Sequence, residues 1–249
     1  MTEKLFHYEI GQGKPLVCLH GYALDHTIWL RMADEIKHNV KLILPDLRGH
    51  GRSPLPDGKY SMRTMAEDVL RILDDQEIEC AGIAGHSMGG YIALALAEHY
   101  SDRLSGFALV ASHAFEDKPE IKKARIENIA KVRQSSVAEV LSEMPGKLTR
   151  HPEISEYCKN LIFHTSKNGI MGVLEGMAER SDRTFVLRSI LIPKMIIAGV
   201  DDQYIPLETS RKFAAMVKEL NLVEIAGAGH MPMMEKPYET GKALLNLFE

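Results

Sequence analysis

Gly85-His86-Ser87-Met88-Gly89 stands between two apolar runs of different character. Ahead of it, Ala81, Ile83 and Ala84 read as a buried strand; behind it, Gly90, Ile92, Ala93, Leu94, Ala95, Leu96 and Ala97 read as a buried helix. A serine on such a strand-to-helix turn is held out of the sheet in a strained backbone conformation, and glycines on either side let strand and helix approach closely. That context marks Ser87 as a nucleophile. A Gly-x-Ser-x-Gly string alone also arises by chance in loops, so its weight depends on what the rest of the chain supplies.

Outward from this turn, strand and helix alternate. Lys4 to Ile10 reads as a short outer strand turned by Gly11 and Gly13, and Leu16-Val17-Cys18-Leu19 as a strand buried on both faces, ending at His20-Gly21-Tyr22. Trp29, Met32, Ala33 and Ile36 mark one face of a helix from His26 to Lys37. Leu42-Ile43-Leu44 then runs as a strand into the loop Pro45-Asp46-Leu47-Arg48-Gly49-His50-Gly51-Arg52-Ser53. A helix bearing Met65, Val69, Ile72 and Leu73 precedes the Ser87 unit, and Phe107-Ala108-Leu109-Val110 is the next strand. The alternation predicts a parallel sheet covered on both faces.

It stops near His113. From Pro119 to Arg188 the spacing is helical, as at Ile126, Ile129 and Ala130, and no run looks like a buried strand, which predicts an inserted set of helices over 113–188. Alternation resumes with Lys194-Met195-Ile196-Ile197-Ala198-Gly199, a helix carrying Phe213, Val217 and Leu220, the strand Leu222-Val223-Glu224-Ile225, and a last helix from Pro237 to Phe248. In an open parallel sheet, ligands bind beyond the carboxyl ends of the strands. The inserted helices follow one such end and would roof it.

The composition narrows the function classes. With 249 residues, 45% apolar and 26% charged, the chain suits one sizeable domain with an insertion. A net charge of -4 without long blocks gives no reason to expect nucleic acid or an anionic membrane as partner. Three cysteines, Cys18, Cys80 and Cys158, two of them in apolar runs, argue for a reducing compartment, and the N-terminus lacks a signal-peptide core, so a cytoplasmic location is expected. No Cys/His cluster has metal-ligand spacing and no glycine loop has phosphate-binding context, so no cofactor is expected.

A serine hydroxyl needs a histidine to take its proton, and the histidine needs a carboxylate to fix its tautomer. The later strand ends supply Asp201 and Asp202, then His230 in Gly227-Ala228-Gly229-His230-Met231-Pro232, in the order Ser, Asp, His. Spacing alone does not separate the two aspartates. Of the other histidines, His86 reads as packing or lining the pocket, and His20 and His50 as structural. An oxyanion needs two preorganised donors. The amide of Met88, opening a helix, is one candidate, and the amide of Tyr22 the other. Trp29, His113, Phe115, Met144, Met171 and Met177 are candidates for an apolar substrate-binding wall. Arg125, Arg133 and Arg180 read as solvated surface charge, with pairing to a substrate carboxylate as the other reading.

Five motifs in order, Leu19-His20-Gly21-Tyr22, Asp46 to Ser53, Gly85 to Gly90, Gly199 to Pro206 and Gly227 to His230, make the chain similar to the α/β-hydrolase superfamily over nearly its whole length. The resemblance implies a mostly parallel, doubly wound sheet over 1–112 and 189–249, a helical cap over 113–188, and Asp202 rather than Asp201 as the acid. Within that superfamily the chain resembles the small bacterial esterases and lactonases, and Met177-Ala178-Glu179-Arg180-Ser181-Asp182 resembles the enol-lactonase-like group. Serine at the turn tells against the dehalogenase and epoxide-hydrolase branches. The expectation is a serine hydrolase (carboxylesterase) of small-molecule esters or lactones; C–C or amide hydrolysis, a lyase reaction or a non-catalytic ligand-binding receptor are the alternatives.

Overall fold

The computed structural model describes residues 4–56 and 60–249. Seven strands, β1 (His7–Gly11), β2 (Lys14–Leu19), β3 (Val40–Pro45), β4 (Ala81–His86), β5 (Leu104–Val110), β6 (Lys194–Gly199) and β7 (Leu220–Ile225), form one sheet in the order β1-β3-β2-β4-β5-β6-β7. Only β1 is antiparallel, on the edge against β3. The central strands β4 and β6 are buried along their whole length, whereas β1 and β7, at the edges, are partly exposed.

Helices α1 (Leu30–Ile36), α2 (Met62–Asp75) and α3 (Met88–His99) accompany the first half of the sheet. Ser61 caps α2, its hydroxyl accepting from the Thr64 amide at 3.1 Å. Between β5 and β6 run α4 (Pro119–Gln134), α5 (Val137–Val140), α6 (Met144–Leu148), α7 (Pro152–His164), α8 (Lys167–Ala178) and α9 (Thr184–Ser189). Then come α10 (Leu207–Met216), α11 (Pro232–Glu235) and α12 (Pro237–Leu245). Helix α1 packs on α12, and α2 on α3, as layers flanking the sheet. No described helix is long and apolar enough to cross a membrane.

Two expectations need correction. The stretch from His26 begins as a 3-10 turn to Trp29 before α1 starts. Val217 and Leu220 do not share a helix with Phe213: Val217 is extended, Glu219 turns the chain at φ 59°, and Leu220 opens β7. Apolar residues at helical spacing across a turn look alike in sequence whichever element owns them.

The strand order reverses direction between β2 and β4, so the crevice of the sheet opens where Leu19 and Gly85 stand side by side. Space there is tight. A β-carbon on Gly85 would strike the carbonyl of Gly89, and one on Gly89 would lie 2.5 Å from the carbonyl of Leu19. Both obstacles are backbone of buried elements and cannot step aside. Gly89→Ala is therefore expected to lower the unfolding free energy by about 1–3 kcal/mol, read from the urea midpoint at constant m-value.

Candidate active site

Ser87 follows β4 with φ 49° and ψ -112°, a conformation that side-chain-bearing residues rarely adopt. The surroundings hold it there. Its amide donates to the Val110 carbonyl at 3.0 Å, and its own carbonyl accepts from the Gly90 amide and from the Ser112 hydroxyl, at 3.0 and 2.7 Å. The partly exposed Ser87 lies in the wall of a cavity of about 850 Å³, with Met88, Tyr22 and His230. Met88 is the first residue of α3, so its N–H belongs to the turn that no carbonyl of the helix can reach.

His230 and Asp202 meet at the same crevice. The imidazole Nδ1 lies 2.8 Å from Asp202 Oδ2, and the two side chains are only 3% and 1% exposed. The other oxygen, Oδ1, accepts from the amides of Tyr204 and Ile205 at 2.7 and 2.9 Å, which fixes the carboxylate from behind. Asp201 is exposed and points its role elsewhere, its amide donating to the Ala228 carbonyl. The Tyr204 ring packs 5.0 Å from the His230 ring.

Three further histidines build the loops that carry these groups. His20 Nε2 accepts from the Leu47 amide at 2.8 Å while Nδ1 donates to the Gly21 carbonyl; His50 Nε2 accepts from the Ala23 amide at 3.2 Å while Nδ1 donates to the Arg48 carbonyl. Both rings are neutral bridges between the loops after β2 and β3, as their structural reading required. Burial above all pushes His20 down to about 3, with the charge of His50 next, and burial pushes His50 down to about 4. His86 lies beside Ser87, its Nε2 donating to the His230 carbonyl at 2.9 Å, and burial holds it well below the ordinary histidine range. Gly21 is needed for space rather than for its backbone angles: a β-carbon there would sit 2.6 Å from His86 Nδ1.

The residues expected in a substrate-binding wall fall in different places. His113, Phe115, Met144 and Met177 line the cavity. Trp29 does not: it is fully buried behind His86, the rings edge to face at 6.5 Å, so its helical spacing was that of the core. Met171 is likewise absent from the wall. Arg180 is not surface charge either; its side chain is 2% exposed and bound to Asp117. Arg133 is exposed.

Several contributors carried no sequence signal that the chemistry could read. Ser112 and Asp117 act through contacts across the sheet end, and Glu235 bridges the Gly229 amide at 2.6 Å to the Thr149 hydroxyl at 2.5 Å. The His230 amide itself donates to the Leu148 carbonyl of α6 at 3.0 Å. The three cysteines are free thiols. Among the described residues, Asp25, His26 and Asp46 are the group close enough to share an ion. Their ligand atoms are engaged already: Asp46 accepts from the His26 ring and amide and from the Arg52 amide, and Asp25 from Thr27.

A family profile described as alpha/beta hydrolase fold matches residues 14–237. The chain belongs to the α/β-hydrolase fold family. It is 29% identical over 244 residues to the AB hydrolase superfamily protein YisY of Bacillus subtilis, covering 93% of this chain and 90% of that protein. It is 26% identical to 3-oxoadipate enol-lactonase 2 of Acinetobacter baylyi, over 89% and 84% of the two chains. Among solved structures, a thermophilic esterase from Thermogutta terrifontis with malate bound superposes with a TM-score of 0.94 at 32% identity, over 98% of this chain and 92% of that one.

The buried histidines make stability depend on pH. In the unfolded chain His20 and His50 titrate near 6.5, whereas in the fold they stay neutral until about 3 and 4. The unfolded state therefore takes up protons first as pH falls. Their contribution is whole above pH 6.5 and is lost progressively down to about pH 4 for His50 and about pH 3 for His20. At pH 5 the expected loss is about 2 kcal/mol for each ring. Urea titrations at pH 7 and pH 5 read it, and His50→Gln is expected to flatten the slope.

Proposed function

We propose that the protein is a serine hydrolase that cleaves a carboxylic ester or lactone of a small molecule through an acyl-enzyme on Ser87. The observation that carries this reading is the buried His230–Asp202 pair, 2.8 Å apart, with His230 in the wall of the cavity that Ser87 also lines. In that arrangement the Asp202 carboxylate accepts from His230 Nδ1, which leaves Nε2 as the basic nitrogen.

Nε2 takes the proton as Ser87 Oγ adds to the substrate carbonyl. The amides of Tyr22 and Met88 donate to the oxyanion of the tetrahedral intermediate, each worth about 3 kcal/mol in reactions of this type. The start of α3 adds the favourable end of its dipole. Collapse expels the alcohol, which receives the proton from His230. Water, activated by the same imidazole, then adds to the acyl group and releases the acid and the free serine. Residues from the helices between β5 and β6, Met144 and Met177 among them, cover the acyl side as a cap.

The esterase from T. terrifontis and the enol-lactonase from A. baylyi, both similar along most of the chain, support an ester or lactone as the bond cleaved. Asp202 also favours hydrolysis by the triad over a passive binding role, since a buried carboxylate with a histidine partner and two backbone donors is costly to keep without use.

Ser87→Ala is expected to reduce turnover of p-nitrophenyl butyrate by at least a thousandfold with an unchanged circular-dichroism spectrum, and Asp202→Asn by a comparable factor in kcat. A phosphonofluoridate probe should add one adduct to the wild type, located by mass spectrometry on the peptide bearing Ser87. Turnover that survives Ser87→Ala would remove the proposal.

A further inference from the structure

The cavity contains a charge arrangement that ester cleavage does not use. Asp117 is a buried carboxylate gripped by two guanidinium groups. Arg125 of α4 donates through Nε to Oδ2 at 2.6 Å, and Arg180 through Nη2 to Oδ1 at 2.5 Å. Arg180 also donates to the Phe115 carbonyl and lies 3.9 Å over the Tyr91 ring. Among the described residues, Asp117 is the carboxylate partner of both. Two positive charges thus share one negative charge, with the side chains of Asp117, Arg180 and Arg125 only 5%, 2% and 19% exposed.

A surplus positive charge kept out of water is costly unless something neutralises it. The exposed acids around the cavity do not pair with the two arginines: Glu116 is held by Lys122, Glu143 by Lys147, and Glu120, open to water, makes no ion pair with Arg125 or Arg180 among the described residues. Of the two arginines, Arg125 reaches the cavity wall. Its Nη1 spends a hydrogen on the Met177 thioether at 3.4 Å, a weak acceptor that a better one would displace. Tyr22 lines the same cavity, and its buried hydroxyl has no hydrogen-bond partner among the described residues. Burial raises its pKa, so it keeps its proton, and the charge of Arg125 acts on it from nearby. One guanidinium edge and one hydroxyl therefore stand ready to donate into the cavity, with one unit of positive charge behind them.

We infer that Arg125 and Tyr22 form a subsite for a carboxylate, so that the substrate is an ester or lactone that carries a second, ionised carboxyl group away from the bond cleaved. The inference rests on the proposed hydrolysis only for the identity of that bond; the anion site stands on the charges. A single surplus charge suits a carboxylate rather than a phosphate dianion, and a guanidinium edge matches the two oxygens of a carboxylate.

Methyl pentanoate and monomethyl glutarate have the same length and differ in a terminal methyl against a carboxylate, and a pH-stat follows both. Wild type is expected to favour the glutarate ester. Arg125→Met should lower the ratio of the two kcat/KM values at least tenfold, mainly through KM for the anionic ester. Tyr22→Phe, which removes one atom and keeps the ring, should lower it about threefold, and Arg125→Lys should restore part of the loss. In a second arm, calorimetry measures glutarate binding to Ser87→Ala, and adding Arg125→Met should weaken it at least tenfold. Equal use of the two esters by wild type, an unmoved ratio in Arg125→Met, or glutarate binding that is absent or indifferent to Arg125 would each overturn the inference. Arg125-dependent glutarate binding without turnover of either ester would retain the subsite and remove the hydrolase reading.

Discussion

The molecule is arranged around a close approach: β4 turns into α3 with the backbone of Gly85 against that of Gly89, and Gly89 against the carbonyl of Leu19. So sharp a reversal forces Ser87 to φ 49° and leaves its side chain outside the packing. The strain is held in place by neighbours, since the Val110 carbonyl, the Gly90 amide and the Ser112 hydroxyl fix the peptide on both sides. Ala23 and Ala111, after β2 and β5, also adopt positive φ, so the same edge of the sheet carries three tightly constrained turns. A rigid scaffold with constrained turns beside Ser87 is a sound base for a site that must not relax.

Electrostatics complete what the backbone begins. His20, His50 and His86 are kept neutral by burial; the first two serve as two-ended hydrogen-bond bridges that join the loop after β2 to the loop after β3, and His86 ties the end of β4 to the His230 peptide. His26 and His230 each have a buried carboxylate partner at this edge, Asp46 and Asp202, and of the two His230 lines the cavity. These imidazoles thus divide the work, and the division follows from what each ring nitrogen faces.

Much of this was legible in the sequence because the relevant signals are local. The run Leu16 to Leu19, the Gly85 to Gly89 turn and the alternation of apolar segments each need only a few consecutive residues, and the mostly parallel sheet followed from them. Spacing alone left the two aspartates open and the family resemblance implied Asp202; in the fold Asp201 faces solvent and Asp202 is buried against His230. What escaped the sequence depends on contacts between distant segments. Trp29 had the spacing of a helix face, and whether that face meets a cavity or the back of His86 is settled by how α1 packs. Arg180 and Asp117 are 63 residues apart, and nothing in either neighbourhood announces a buried ion pair. The end of the α10 helix was misplaced because Val217 and Leu220 continue an apolar rhythm through a turn.

The corner at Leu148 and Thr149 divides the helical insert for the purposes of evolution. The Leu148 carbonyl holds the His230 amide, and the Thr149 hydroxyl shares Glu235 with the Gly229 amide, so a shift of the main chain here moves the imidazole as well. Helices α4 and α8 have no such bond to the histidine loop. Descendants of this chain can therefore vary side chains on those two helices without moving His230, while insertions or deletions at the 148–149 corner would displace the His230–Asp202 pair.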